Sequence, residues 1–255
     1  MTNLEALIWD VDGTLADTER DGHRVAFNSA FSQAGLEWHW DVEMYGQLLK
    51  VTGGKERIRY YLDRFNPAWE RPSDLDRFIA ELHRHKSEVF VSLMKEGRIP
   101  PRSGVIRLID EAAAAGLRLA IATTTTPANV DALLEQFFGR AGKHPFEVIA
   151  AGDVVPAKKP APDIYLWALE KMGLKPEACV AIEDSHNGLL SATSAGISTV
   201  VITLNGYTAN EDFTGASLVV DQLGDSENPA CVVAGELNGA AVVDVGMLRR
   251  LHAVS

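Results

Sequence analysis

Basic residues are in deficit: 24 Lys and Arg stand against 35 Asp and Glu, a formal net charge of −11. A field of that sign repels nucleic-acid phosphates and anionic membrane surfaces, which argues against a general binder of either. An anionic small substrate stays open, because a local basic pocket overrides the global sign. Cysteine is scarcer still. Cys179 and Cys231 alone do not make a disulfide scaffold, and they suit a reducing compartment. Long apolar runs are missing too. The run from Leu4 to Val11 falls far short of the ~20 residues a spanning helix needs, and it carries Glu5 and Asp10. It has no basic flank and no cleavage-like site, so no signal peptide is expected. Internal repeats and low-complexity tracts are absent. What is there is a 255-residue chain, 46% hydrophobic, enough for one large domain or two modest ones.

The near-continuous apolar run Leu4–Val11 suits a strand buried on both faces of a parallel sheet, broken by Asp12-Gly13-Thr14. From Gly22 to about Lys95 the spacing is helical throughout. Phe27, Ala30, Phe31 and Ala34 recur at one helical face, as do Ile58, Tyr61, Leu62 and Phe65, and a long helix begins near Ser73. After Pro100-Pro101 strands and helices alternate: helix 105–112, strand 117–122, a helix capped by Thr126 with Pro127 at its first position, strand 146–150, a helix opened by Pro162, strand 179–182, helix 187–195 and strand 198–202. That alternation predicts an α/β fold with a doubly wound parallel sheet. The expected domains are a core of 1–16 and 99–255 and an inserted helical cap of 17–98. Beyond Asp221 the pattern weakens to a short helix near Met247–Val254.

Four strand ends carry polar residues. Asp10 and Asp12, two residues apart, both address the carboxyl edge of the first strand, where open α/β sheets bind ligands. Crowded carboxylates repel, and a divalent cation relieves them. Taken alone, Asp12-Gly13 reads better as a turn, and only the other strand-end motifs tip the balance to a site. Thr123, Thr124 and Thr125 lie ahead of a helix N-terminus, a site for an anion or simply a cap. Lys158-Lys159 offers a cation for phosphate, or a solvated surface lysine. Glu183-Asp184 is a second acidic pair at a strand end, with helix capping as the alternative for Asp184.

In this order the motifs resemble the haloacid dehalogenase superfamily: Asp-x-Asp-x-Thr, a strand-end Thr, a Lys and a closing acidic pair. The resemblance spans nearly the whole chain and implies a Rossmann-like core and phosphoryl transfer through an aspartyl-phosphate. It implies that Asp10 is the nucleophile and Asp12 the general acid and base. Thr123 would hold a phosphoryl oxygen. Lys159, directly before Pro160, would neutralise charge. Mg²⁺ would be held by Asp10, the Asp12 carbonyl and Asp184, with Glu183 in support. Because Asp12 and the metal carboxylates are present, the superfamily's founding dehalogenase activity is rejected.

In the cap, Thr52-Gly53-Gly54-Lys55-Glu56-Arg57 reads as a second phosphate cradle, since cations at a helix N-terminus do not serve the helix. The alternative is that Glu56 and Arg57 face solvent. Glu19 and His23 follow the first motif, and Lys86 lies on the long helix. These segments, with Gly22–Asn28 and Ala122–Thr126, resemble the CbbY sugar bisphosphatases of that superfamily. The resemblance implies removal of the 1-phosphate from xylulose-1,5-bisphosphate, a Rubisco inhibitor. The expected substrate contacts are Glu19, His23, Gly53, Gly54, Lys55, Glu56, Arg57, Lys86, Thr124 and Thr125. A β-phosphoglucomutase-like mutase is the alternative reaction. A monomer in a bacterial cytoplasm or chloroplast stroma is expected, with neither nucleic acid nor membrane as partner.

Overall fold

A computed structural model describes residues 3–139, 143–237 and 239–254. They fall into two compact units. One carries the sheet and comprises the chain up to Asp17, Pro100–Thr124 and the chain from Lys143 onward. The other is helical and comprises Thr18–Ile99 with the stretch beginning at Thr125.

In the first unit, β1 (Ala6–Trp9) is buried along its whole length, as its apolar run demands. It pairs in parallel with β2 (Arg118–Thr123) on one side and β4 (Cys179–Glu183) on the other. The sheet order is β3-β2-β1-β4-β5-β6-β7, with β3 at Val148–Ala151, β5 at Thr199–Thr203, β6 at Leu218–Val220 and β7 at Val232–Ala234. Order reverses around β1, so the crevice for a ligand falls at its carboxyl end. Trp9 is in register with Ile121 and Ile182. One residue later, Asp10 comes level with Glu183.

Helices α5 (Val105–Ala114), α7 (Asp163–Met172), α8 (His186–Ser194) and α9 (Val245–His252) belong to this unit. Gly173 ends α7 at φ 63°, a left-handed position that costs glycine nothing. Ile8, Ala122, Ala181, Val200 and Ile202 meet Ile164, Tyr165 and Leu189 in one core cluster.

The helical unit holds α1 (Arg24–Gln33), entered through a turn of π-helix at Glu19–His23, then α2 (Val42–Leu48), α3 (Gly54–Arg64) and α4 (Leu75–Lys95). Its core is aromatic. Trp40 packs on Phe27, Phe31 and Tyr61 at centroid distances of 4.7, 4.8 and 5.4 Å. The Asn28 amide closes on the backbone N–H and C=O of Trp40, both at 2.8 Å.

The structure departs from the sequence expectation in four places. The sheet is not wholly parallel, because β7 runs antiparallel to β6. Neither of these short strands, nor α2, has a strong periodic signal. The helix α6 (Pro127–Phe138), expected in the core, groups with the helical unit through its packing on α4. Thr126 occupies the N-cap of α6, but its side chain makes no capping hydrogen bond. No helix among the described residues is long and apolar enough to cross a membrane.

Candidate active site

The sheet topology delivers Asp10, Thr123, Glu183 and Asp184 to neighbouring strand ends, all of them buried. Lys159 reaches the same place from the segment before α7. Its Nζ donates to Oδ1 of Asp10 at 2.7 Å and to Oε1 of Glu183 at 2.5 Å. The Tyr165 hydroxyl donates to that same Glu183 oxygen at 2.5 Å. Lys158 turns away instead, to the Gly152 carbonyl and Asp153.

Burial governs the electrostatics. It pushes the Asp10 carboxyl up to about 8, against the pull of Lys159 and with a further push from Glu183 and Asp12. Asp184 is raised well above the carboxylate range by burial first, then by Asp10 and Glu183. Burial alone would depress Lys159, yet Asp10 and Glu183 carry it above its ordinary value. Tyr165 is raised by burial and by Glu183.

Asp10, Glu183 and Asp184 bring carboxylate oxygens within 4.8 Å of one another. The other oxygen of Glu183, Oε2, is buried without a hydrogen-bond partner. With Lys159 protonated, full ionisation of the three carboxylates would leave a net charge of −2; burial resists that by raising Asp10 and Asp184, and one divalent cation would balance it. The donor set is all oxygen, as a hard cation prefers. These residues therefore fit a metal. The Asp12 side chain is not a member of the group, which is compatible with a contribution from its backbone only.

Gly13, at φ +88°, is required here: a Cβ at this position would run into the Asp184 carboxylate and the Asn205 amide. Asn205 donates from Nδ2 to Oδ2 of Asp184 at 2.6 Å. Thr123 is buried at the end of β2 and Thr124 half-buried beside it. Thr125 is the first residue of the stretch grouped with the helical unit, where its hydroxyl accepts from Asn129 at 2.9 Å.

In the helical unit, Arg57 is buried rather than solvent-facing. It donates to the Tyr45 hydroxyl at 2.7 Å and lies 3.6 Å from Glu19, which itself accepts a short bond from Tyr45. Lys86 is also buried, 2.8 Å from Nδ1 of His23, and His23 stacks on Phe90 at 4.1 Å. Lys55 is half-buried and Glu56 exposed, with the Glu56 carboxylate folded against Gly53. Gly54 leaves room for the His83 ring. The structure thus places Glu19 beside Arg57 and His23 beside Lys86, pairings the sequence does not indicate. Sequence reasoning also misses Tyr45, Tyr165 and Asn205. Tyr165 reads as an apolar helix-face residue, and nothing in its spacing reveals the hydroxyl's partner.

A model of the haloacid dehalogenase-like hydrolases matches residues 4–196. The chain belongs to that family. Among haloacid dehalogenase-like hydrolases it is 47% identical over 251 residues to the plasmid CbbY protein of Cupriavidus necator, covering 98% of this chain and 97% of that one. It is 50% identical over 220 residues to CbbY of Rhodobacter capsulatus, covering 86% and 94%. A solved structure of a mutant CbbY from Rhodobacter sphaeroides, in complex with xylulose-(1,5)bisphosphate, matches at 48% identity with a TM-score of 0.80, covering 86% of this chain and 94% of that one. The mostly parallel sheet with flanking helices is this family's α/β fold.

Proposed function

We propose that this haloacid dehalogenase-like hydrolase is a Mg²⁺-dependent phosphatase that removes the 1-phosphate of xylulose-1,5-bisphosphate through an aspartyl-phosphate. The observation that carries the reaction type is the buried cluster of Asp10, Lys159, Glu183 and Asp184 at adjacent strand ends. The substrate rests on likeness to a relative solved with that sugar bisphosphate.

In this reading the Asp10 carboxylate attacks phosphorus, and the bond from phosphorus to the sugar oxygen breaks. Asp12 gives its proton to the leaving oxygen. It then takes a proton from the water that attacks the phosphorylated Asp10, which releases phosphate and restores both carboxyls. Thr123 holds a phosphoryl oxygen, with Thr124 and Thr125 lending polar groups. Lys159 neutralises phosphoryl charge and, with Tyr165, is anchored by Glu183. A bound Mg²⁺, held by Asp10, Asp184 and the Asp12 carbonyl with Glu183 in support, would supply further positive charge and keep Asp10 ionised. Positioning and charge neutralisation then do most of the catalysis.

Lys55, Arg57 and Lys86 hold the distal phosphate. Glu19 and His23 address the sugar, and Gly53, Gly54 and Glu56 shape the start of α3. A monomer in a bacterial cytoplasm or chloroplast stroma completes the proposal. The plant and bacterial origins of its relatives support that location.

The test is phosphate release from xylulose-1,5-bisphosphate and ribulose-1,5-bisphosphate, with and without Mg²⁺, alongside β-glucose-1-phosphate with its bisphosphate primer. Fast Mg²⁺-dependent release from the xylulose compound, with the ribulose compound spared, supports the proposal. Conversion to glucose-6-phosphate without phosphate release makes the enzyme a mutase.

A further inference from the structure

Arg102 is an 8%-exposed side chain that stands outside the motifs described above. A guanidinium has five N–H donors in a fixed fork, and here five oxygens surround it. One terminal nitrogen donates to the carbonyls of Gly13 and, at 3.1 Å, Thr203. The other donates to the carbonyls of Leu204 and, at 2.8 Å, Asp221. Nε pairs with Asp17 at 3.3 Å. One side chain therefore ties the loop after β1 to the ends of β5 and β6.

The peptide groups it holds adjoin the acidic cluster. Gly13 follows Asp12 and borders Asp184, while Leu204 precedes Asn205. The Asn205 amide has a fixed orientation, because its Oδ1 accepts from the backbone N–H groups of Tyr207 at 2.9 Å and Thr208 at 3.3 Å. That leaves Nδ2 to donate to Asp184. Burial and the neighbouring carboxylates raise Asp184, and the Arg102 charge opposes them.

We propose that Arg102 and Asn205 are positioning residues for the metal site: Arg102 fixes the Gly13 and Leu204 peptides, and Asn205 aims the Asp184 carboxylate. Neither touches the reacting atoms. The inference rests on the reading of the acidic cluster as a Mg²⁺ site. Lysine cannot replace Arg102, since a point charge with three donors does not span five acceptors in three segments.

The experiment measures Mg²⁺ and Mn²⁺ binding without substrate, by calorimetry and by metal-induced shift in melting temperature, in Arg102→Lys and Asn205→Ala. Arg118→Gln, which removes an exposed pair with Glu147, is the control. Loss of a residue that orients a metal ligand weakens metal affinity by about 10- to 100-fold. That loss is expected in both variants, with the control unchanged and KM for the sugar bisphosphate preserved at saturating Mg²⁺. Wild-type metal affinity in either variant overturns the proposal, even where the melting temperature falls. If Arg102→Lys does not fold, Asp17→Asn takes its place, with a smaller loss expected and no loss overturning the role of Arg102. Failure of the wild-type protein to bind either ion is a distinct result, which removes the metal reading and this inference with it.

Discussion

Lys159 and Asp10 form a buried ion pair, with Nζ 2.7 Å from Oδ1, and the same ammonium bonds Glu183 at 2.5 Å. Removing one partner of such a pair strands the others in a low-dielectric site, at a cost of about 3–5 kcal/mol. Lys159→Ala is expected to lower stability by that order in chemical denaturation. Loss of its charge at the phosphoryl group is expected to lower kcat by about 10²–10³-fold.

Tyr165 shares the Glu183 oxygen with Lys159. Tyr165→Phe leaves the Lys159 bond in place and removes one donor to a buried carboxylate, worth about 1–3 kcal/mol. Denaturation should show that loss, with kcat falling far less than in Lys159→Ala.

Gly13→Ala adds a methyl group where Asp184 and Asn205 already stand, at a backbone φ of +88°. The left-handed conformation alone costs an L-residue about 1–2 kcal/mol. The larger effect expected is displacement of Asp184, seen as loss of metal binding in a chain that still melts cooperatively.

The pH dependence follows from Asp10. Its folded-state carboxyl stands at about 8, against an ordinary 3.8, chiefly through burial. A group that binds its proton more tightly when folded favours folding while protonated, so its contribution fades as pH rises from 3.8 toward 8. The metal-free protein should therefore lose melting temperature across that window, and Asp10→Asn should flatten the slope. Added Mg²⁺ should stabilise most at the alkaline end, where it no longer competes with the proton.

Arg57 and Lys86 test the distal-phosphate reading. Each is a buried cation with a polar partner, Tyr45 and His23 respectively. A hydrogen bond to a charged group is worth about 1.5–3 kcal/mol, or about 10- to 100-fold in affinity. Arg57→Gln or Lys86→Gln should raise KM for the bisphosphate by that factor, with hydrolysis of a small aryl phosphate unchanged.

The sequence reveals the sheet because its central strands are buried on both faces, so Leu4–Val11 stands out as a near-continuous and Cys179–Ile182 as a continuous apolar run. It marks Asp10 and the Glu183-Asp184 pair because each lies at the end of such a run, whereas Lys159 is singled out from Lys158 only by the family resemblance. Strands β6 and β7 escape notice, being three residues each, and β7 is exposed at the sheet edge. Tyr165, Asn205 and Arg102 escape for another reason. Their roles depend on partners 18, 21 and 85 or more residues away, contacts that spacing does not encode.

The most direct test of the account is to trap Asp10 in the act. Enzyme turning over xylulose-1,5-bisphosphate with Mg²⁺ is quenched with borohydride, which reduces an acyl phosphate to an alcohol, and its peptides are mapped by mass spectrometry. Homoserine at position 10 is expected, dependent on substrate and absent from Asp10→Asn. Full turnover with position 10 unmodified, or with the reduced residue elsewhere, contradicts this role of Asp10.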